Sequence, residues 1–246
     1  MSNNVSDFIS KLDKLNKEKV EVFIPSRDTI VKVKPLNLKQ QKDIISSTLG
    51  GIKGVLDYAQ TLNTIILDNS GITNLKIYDK LPFCINMRIE ALGSQFNGDE
   101  DSIDLQLVLN NIAEIPFELE DKKTIQHENL EIGLKVPALD EENALLSKCG
   151  EEINTEDHQL KDDIGTLYLL EMIKYIESLK IDDSTINMSE IRISDRIKLI
   201  ENLPLAVYTD ISKFTQEINN YELKILTVNN FTVPINPLFF DSLDVE

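Results

Sequence analysis

The chain has 246 residues, of which 41% are hydrophobic and 27% are charged, and its formal net charge is -17. Such a chain can bury a full core in one domain or in two closely packed domains. The acidic balance argues against nucleic acid as a partner, because phosphate binding needs a basic surface.

The two cysteines, Cys84 and Cys149, lie far apart in the sequence. This separation argues against a disulfide scaffold and against a metal site built from cysteine pairs, and it fits a reducing cytoplasm. The sequence has no apolar run of about 18 residues, and residues 1–10 lack the basic and then apolar order of a signal peptide. We therefore expect no membrane partner and a chain that stays in the cell that makes it.

Residues 7–19 predict a polar helical arm with a narrow apolar stripe, formed by Phe8, Leu12 and Leu15. Two uses of this stripe remain open. It can dock on a neighbouring protein, or it can cover an edge of the chain's own sheet.

A β-hairpin is predicted next, from the stretches VEVFI at 20–24 and TIVKVK at 29–34. The second stretch alternates apolar and polar residues, so one of its faces should meet solvent. The connection Pro25-Ser26-Arg27-Asp28 has the composition of a tight turn.

Helical periodicity follows the hairpin. Three helices are predicted, at residues 38–49, 52–66 and about 79–92. Pro35 ends the second strand, Asn37 is suited to cap the first helix, and Gly93 is suited to stop the third.

Arg88 falls on the apolar stripe of the third helix, together with Leu81, Cys84, Ile85 and Leu92. A guanidinium on a core-facing stripe needs a carboxylate or several carbonyl groups, because an unpaired buried charge is costly. We predict an ion pair beneath the helix. The alternative, of equal weight, is that the side chain reaches the surface. Cys84 is interpreted as a small buried hydrophobic residue and not as a nucleophile.

The middle of the chain is less regular. Residues 94–102 are acidic and predict a mobile connection without a metal site. Residues 103–109 alternate like a strand, so we predict a strand followed by a short helix, although residues 104–115 also fit a helix. A further strand is predicted at 130–136.

Residues 140–158 predict a polar, acidic crossing segment with a short helix near 144–148. His127 and His158 are lone histidines in polar surroundings. Solvent exposure is therefore expected for both, in preference to metal binding or general-base catalysis.

The second half of the chain is predicted to be mainly helical, with a central helix at 160–179. A short helix carries Ile197 and Ile200, and Pro204 opens another helix. Near the end, residues 223–228 and 231–235 predict a hairpin closed by two asparagines. After it, Leu238, Phe239 and Phe240 either form an exposed docking patch or fold back to close the core.

We therefore predict an α+β protein with a helical arm at 1–19, a body at 20–139 and a mainly helical half at 140–246 packed on the body. Adjacent acids such as Asp99, Glu100 and Asp101, or Glu151 and Glu152, do not supply opposed carboxylates with separated pKa values. We expect the protein to have no enzymatic activity and to bind no cofactor, metal or small-molecule substrate.

The order of these elements resembles the baseplate hub subunit family of T-even-type contractile-tailed bacteriophages. The resemblance rests on FIPSRDTIVKVKPLNLKQQKDI and YDKLPFCINMRIEALG, both within residues 20–93. The matching positions are Ile24, Pro25, Ser26, Lys34, Pro35, Leu36, Asn37, Lys42, Asp79, Phe83, Arg88 and Gly93. LEIGLKVP and SDRIKLIENLP, further along, are also similar, whereas the middle and the carboxyl terminus are not aligned.

The resemblance implies a structural or assembly protein, made in the host cytoplasm, that helps to build the baseplate hub of the virion tail. It implies that Pro25, Ser26, Pro35, Asp79, Arg88 and Gly93 are structural. Phe8, Leu12 and Leu15 of the arm, and Leu238, Phe239 and Phe240, are the candidate contacts with other tail proteins. The alternative is a transient assembly chaperone or interaction module that is absent from the mature particle.

Overall fold

A computed structural model describes residues 19–48, 52–97, 102–153 and 160–241. The fold is α+β, as predicted, with helices packed against small antiparallel sheets. The helices are α1 (Leu38–Ser47), α2 (Ile52–Ser70), α3 (Lys80–Leu92), α4 (Leu105–Glu114), α5 (Leu139–Ile153), α6 (Leu160–Ile173), α7 (Ile193–Glu201) and α8 (Leu205–Leu226). The strands are β1 (Val20–Ile24), β2 (Thr29–Val33), β3 (Gln95–Asn97), β4 (Ser102–Asp104), β5 (Lys122–His127), β6 (Leu130–Lys135), β7 (Ile176–Ile181), β8 (Ser184–Asn187), β9 (Thr227–Val228) and β10 (Phe231–Thr232).

The predicted first hairpin is confirmed: β1 and β2 pair antiparallel, with Val20 opposite Val33. The connection is a 3-10 turn that ends at Asp28, whose φ is 48°. A short acidic side chain tolerates this left-handed conformation because it can bond nearby backbone groups. Ile24 is buried and Lys32 is exposed, so one face of the hairpin is covered, as the alternation predicts.

The first three helices form close to their predicted positions. Asn37 caps α1, because its side chain accepts a hydrogen bond from the Gln40 N–H at 2.9 Å while the Gln40 side chain accepts one from the Asn37 N–H at 3.1 Å. α3 stops at Gly93, whose φ of 90° is costly for residues with a side chain. The observed ends differ slightly: α1 stops at Ser47, and α2 continues to Ser70.

In the segment after α3, the structure differs from two predictions. Residues 94–102, predicted as a loop, contribute β3 and the start of β4. The strand predicted at 103–109 is wrong beyond Asp104, because the Asp104 side chain accepts the Gln106 N–H at 3.0 Å and caps α4. The predicted order, a strand followed by a helix, is confirmed.

A four-stranded antiparallel sheet, ordered β5-β6-β7-β8, is the largest sheet among the described residues. Its strand β6 is confirmed, whereas β5, β7 and β8 were not predicted. The helix predicted at 160–179 is wrong after Ile173: α6 ends there and the chain enters β7. Ile176 and Leu179 fit helical spacing, but β7 pairs with β6, and this pairing buries both side chains.

The helix predicted near 144–148 is present but longer, because α5 extends over Leu139–Ile153. Its buried apolar side chains lie on one face, at Leu139, Leu145, Leu146 and Cys149. His158 lies outside the described residues. Strands from both sides of residue 140 share the four-stranded sheet, and the division of the chain at 139/140 stays a prediction.

The final helix, α8, starts after Pro204 as predicted and buries one continuous stripe, at Val207, Ile211, Phe214 and Ile218. The strand predicted at 223–228 is wrong up to Leu226, because α8 runs that far. The predicted hairpin is nevertheless present in short form, with Asn229 and Asn230 at φ 52° and 67° between β9 and β10. The buried apolar side chains of the described residues form one continuous core.

Candidate functional site

The carboxylate of Asp79 connects the first hairpin to the start of α3. Its Oδ1 accepts the Ser26 N–H at 2.9 Å, and its Oδ2 accepts the Ser26 hydroxyl at 2.6 Å and the Lys76 N–H at 2.8 Å. Ser26 and Asp79 are 53 positions apart in the chain. Two residues of the family resemblance therefore form one contact, which holds the hairpin turn against the helix.

The electrostatics of Asp79 are set by burial and by these hydrogen bonds. The side chain is completely buried, and burial raises its pKa above the ordinary value, while the bonds from Ser26 and Lys76 oppose that rise. The Arg27 guanidinium, next in the turn, donates to the Thr73 carbonyl. The region is a structural junction in which every named polar group serves to fix the backbone.

The other positions of the resemblance also lie at ends of elements. Pro25 begins the 3-10 turn of the hairpin and is buried. Pro35 is half-buried just after β2, where its missing N–H costs no strand pairing. Gly93 terminates α3. The structure brings Ser26 and Asp79 together, and it places Arg88 near Gly93.

Arg88 is 0% exposed, so its side chain does not reach the surface. Its Nη1 donates to the Gly93 carbonyl oxygen at 3.2 Å, which ties the middle of α3 to the glycine that ends it. The ion pair predicted for this guanidinium stays a prediction.

Replacing Arg88 with methionine should lower the free energy of unfolding by about 2 kcal/mol or more, because buried hydrogen-bond partners lose their donor. Thermal unfolding measures this loss. Arg192→Met is the matched control, since Arg192 is 79% exposed and pairs with Asp195 at the surface. The control should change stability by about 0.5 kcal/mol or less. Equal melting temperatures for wild type and both variants would contradict a structural role for Arg88.

A second junction, which the sequence analysis missed, is centred on Glu142 in the first turn of α5. The side chain is buried, and its Oε2 accepts from Asn63 Nδ2 at 2.7 Å and from Lys80 Nζ at 3.0 Å. Its Oε1 accepts from Lys174 Nζ at 3.2 Å. One carboxylate thus joins α2, α3, α5 and the turn that follows α6.

The charges at this Glu142 junction stabilise one another. Burial alone would raise the pKa of Glu142, but the attraction of Lys80 and Lys174 outweighs burial and holds the pKa well below its ordinary range. Burial likewise would lower the pKa of Lys174, but Glu142 and Glu171 raise it above its ordinary value. Glu142 and Lys174 are therefore both held in their charged forms at this junction.

A signal for Glu142 was present in the sequence. Leu139, Leu145 and Cys149 recur at helical spacing, and Glu142 falls three residues after Leu139 on the same face. The acidic composition of the segment hid this pattern. An acid on an apolar stripe, like the basic Arg88, should be paired with opposite charges from other elements.

Two cavities of the described residues are lined mainly by charged or polar side chains. A cleft of about 230 Å³ is lined by Lys135, Glu141, Glu142 and Lys174, among others. Lys135 pairs with Glu141 at 2.6 Å, so acids and bases in this cleft neutralise each other. A shallow groove of about 700 Å³ between α1 and α2 is lined mainly by polar side chains.

The side chains considered for catalysis or metal binding lie away from these cavities or outside the described residues. Cys84 is buried, and burial raises the pKa of its thiol to about 12. The side chains of the adjacent acids at 99–101 and 151–152 lie outside the described part. Across residues 19–48, 52–97, 102–153 and 160–241, no group of three or more His, Cys, Asp or Glu side chains is placed to hold a metal ion. Within the same ranges, no helix has the length and apolarity needed to cross a bilayer.

The carboxyl-terminal patch is folded back. Phe239 and Phe240 are completely buried, and Gln41 Nε2 donates to the Phe240 carbonyl oxygen at 2.9 Å. Their predicted use as contacts is therefore corrected in favour of the alternative, closure of the core, because a side chain without exposed surface cannot bind a partner. Leu238 is 64% exposed. Phe8, Leu12 and Leu15 lie outside the described residues.

Comparison with known families gives one match that spans most of the chain. A sequence model of the family described as T4 bacteriophage base plate protein matches residues 16–232. The match starts before β1 and ends with β10, so it includes both junctions. No curated protein and no solved structure matches the chain.

Proposed function

The chain belongs to the T4 bacteriophage base plate protein family, and on this premise we propose that it takes part in forming the central hub of the baseplate. Membership implies a structural role in the phage baseplate, a location in the virion tail and contacts with other tail proteins. The proposal goes one step further, because it names the hub as the part that the protein helps to build.

The observation that carries the proposal is the match over residues 16–232. The motifs within residues 20–93, which resemble hub subunits, lie inside that range. These motifs are the reason why the proposal names the hub. The junctions support it as well, because Asp79 and Glu142 hold separate elements in one fixed arrangement. A rigid body suits a protein that acts by docking on its neighbours.

We further propose that the protein works without catalysis, cofactor, nucleic acid, membrane or small-molecule substrate, and that it is made in the host cytoplasm. Its contacts include the arm, through Phe8, Leu12 and Leu15, and the exposed Leu238. Leu238 supplies exposed apolar area, and we propose that the apolar residues of the arm do the same. Apolar and aromatic side chains at the centre of an interface contribute most of its binding energy.

Mass spectrometry of purified tails and of the lysate from the same phage-producing cells tests the hub proposal. We expect the chain in both fractions, together with the other baseplate proteins. Presence in the lysate and in hub intermediates, but absence from finished tails, would identify the alternative, a transient assembly chaperone. Absence from every tail fraction would contradict both functions.

Deleting residues 5–15 tests the arm separately. We expect at least about tenfold less of the shortened chain in purified tails, since several apolar contacts are lost together. Leu238→Ser removes the exposed leucine and leaves Phe239 and Phe240 in the core. Unchanged incorporation of both variants would rule out these two surfaces as contacts.

A further inference from the structure

Strand β8 is a free edge of the four-stranded sheet. It pairs with β7 on one side, from Ile181 opposite Ser184 to Ser178 opposite Asn187, and it is the last strand in the order β5-β6-β7-β8. All four side chains of β8 are exposed. The outer side of the strand is therefore open to solvent in the described structure.

The register shows which backbone groups face outward. Ile181 and Ser184 flank a two-residue turn, so they form the hydrogen-bonded pair that closes the hairpin. Hydrogen-bonded and non-bonded pairs alternate in an antiparallel ladder. Thr185 and Asn187 are therefore in non-bonded pairs, so the N–H and C=O of Thr185 and the N–H of Asn187 point away from β7, whereas the Asn187 C=O begins the 3-10 turn Met188–Glu190. These outward groups are free to receive another strand.

This edge lacks the features that usually protect sheet edges. Proteins place lysine, proline or a bulge on an exposed edge to prevent pairing with other chains. The sequence of β8, Ser-Thr-Ile-Asn, has none of these charges or prolines. An apolar strip lies beside it, because Ile181 and Ile186 are 51% and 38% exposed. An added strand would find both main-chain partners and apolar contact.

The charges around the edge define the strand that it can accept. Residues 181–190 contain three acids, Asp182, Asp183 and Glu190, and no basic residue. All three acids are exposed. Lys180 of β7 lies between Glu131 of β6 and Thr185 of β8, so one basic side chain flanks the middle of β8. The strand β8 itself carries no charge, and acids lie at both of its ends.

We propose that β8 binds an extended segment of another tail protein, which adds a fifth strand to the sheet. This segment has an apolar residue that packs beside Ile186 and lysine or arginine residues that face Asp182, Asp183 and Glu190. Main-chain hydrogen bonds to Thr185 and Asn187 hold it. This inference rests on the proposed function, because that function supplies the tail protein.

A second copy of the chain fits the edge less well. Antiparallel pairing of two β8 strands, with Thr185 of one copy opposite Asn187 of the other, brings the turn acids Asp182 and Asp183 of each copy toward Glu190 of the other. Like charges that are brought close together repel each other. A basic segment would instead place lysine or arginine beside these acids, where opposite charges attract.

The variant Asn187→Pro tests the edge with little effect on the hairpin. Asn187 has φ -84°, close to the value that proline requires, and its N–H points away from β7. Proline therefore removes an outward donor and blocks an added strand. Asn187→Ala is the matched control, because it loses the same side-chain bond to Glu190 and keeps the N–H. Equal melting temperatures of the two free variants show that the hairpin is intact.

Tail assemblies are then isolated from phage-producing cells through a tag on this chain. We expect about tenfold less Asn187→Pro than Asn187→Ala in these assemblies, since main-chain bonds to the edge are lost. In assemblies of the wild-type chain, the amides of Thr185 and Asn187 should exchange hydrogen at least about tenfold more slowly than in the free protein. A photoreactive residue at position 185 should crosslink to a basic, extended segment of another tail protein.

Two results overturn the inference while leaving the hub proposal standing. The first is that the wild-type chain is found in tails, but the amides of Thr185 and Asn187 exchange hydrogen there as fast as in the free protein. The second is a crosslink from position 185 to residues 184–187 of a second copy. Wild-type chain missing from all tail assemblies would contradict the hub proposal itself, and the inference would fail with it.

Discussion

Replacing Glu142 with glutamine should lower the free energy of unfolding by about 3–5 kcal/mol. The variant keeps the size of the side chain and the contact with Asn63, but it leaves Lys80 and Lys174 without their shared negative charge. Both lysine side chains are largely buried, at 18% and 12% exposure, so water does not replace the lost partner. Urea unfolding at neutral pH measures the loss.

Glu171→Gln is the matched control for this prediction. Glu171 pairs with the same Lys174 at 2.6 Å, but its own side chain is 70% exposed. Removing an exposed partner should cost about 1 kcal/mol or less. Equal losses from Glu142→Gln and Glu171→Gln would mean that burial does not strengthen the Glu142 junction.

Comparing Glu142→Gln with the wild type also tests how stability depends on pH. The pKa of Glu142 is lower in the folded chain than its ordinary value of 4.5, so the unfolded chain binds the extra proton first as the pH falls. The contribution of Glu142 is complete above that ordinary value and is lost as the pH falls toward the folded pKa. The difference in stability between wild type and Glu142→Gln should therefore shrink below about pH 4.5. A difference that grows with acid would contradict this assignment.

Replacing Asp79 with alanine should lower the free energy of unfolding by about 3 kcal/mol, because three hydrogen bonds to a buried carboxylate are lost together. Ser26→Ala is the graded control. It removes only the hydroxyl bond at 2.6 Å, so about 1.5 kcal/mol is expected. Hydrogen exchange should show that β1 and β2 lose protection before α8 does in the Asp79 variant. Equal effects of the two substitutions, or uniform loss of protection, would contradict a junction centred on Asp79.

The amino-terminal part of the fold could be predicted because its signals are local. The turn residues after Ile24, the capping Asn37 and the terminating Gly93 each act within a few positions of the chain. Their effect on the backbone does not depend on distant packing. The hairpin and the first three helices therefore follow closely from the sequence.

The four-stranded sheet could not be predicted in the same way, because its two local hairpins are joined by the pairing of β6 with β7, which are distant in the chain. Ile173, Ile176 and Leu179 follow at intervals of three, which fits a helix and not the alternation of a regular strand. The strand β7 nevertheless buries both Ile176 and Leu179, because the register of its pairing with β6 shifts between Gly133 and Leu134. The pairing of Ile132 with Leu179 decides between the two. The strand β5 has few apolar residues, and its partner β6 is what holds it in the sheet.

Single residues show the same limit on what can be predicted from the sequence. Arg88 was identified as unusual because a charge on an apolar stripe needs a partner, but the position of that partner is a property of the fold. Glu142 met the same criterion and was missed within an acidic segment. Ser26 and Asp79 were singled out by resemblance, and only the folded chain brings their side chains together.

The most direct test of the account is the structure of baseplates made without this chain. Cells infected with phage that cannot produce the protein should accumulate baseplate parts without a complete central hub, as seen by electron microscopy. Supplying the wild-type chain should restore the hub. Complete hubs in the absence of the chain would contradict the proposal that the protein takes part in building them.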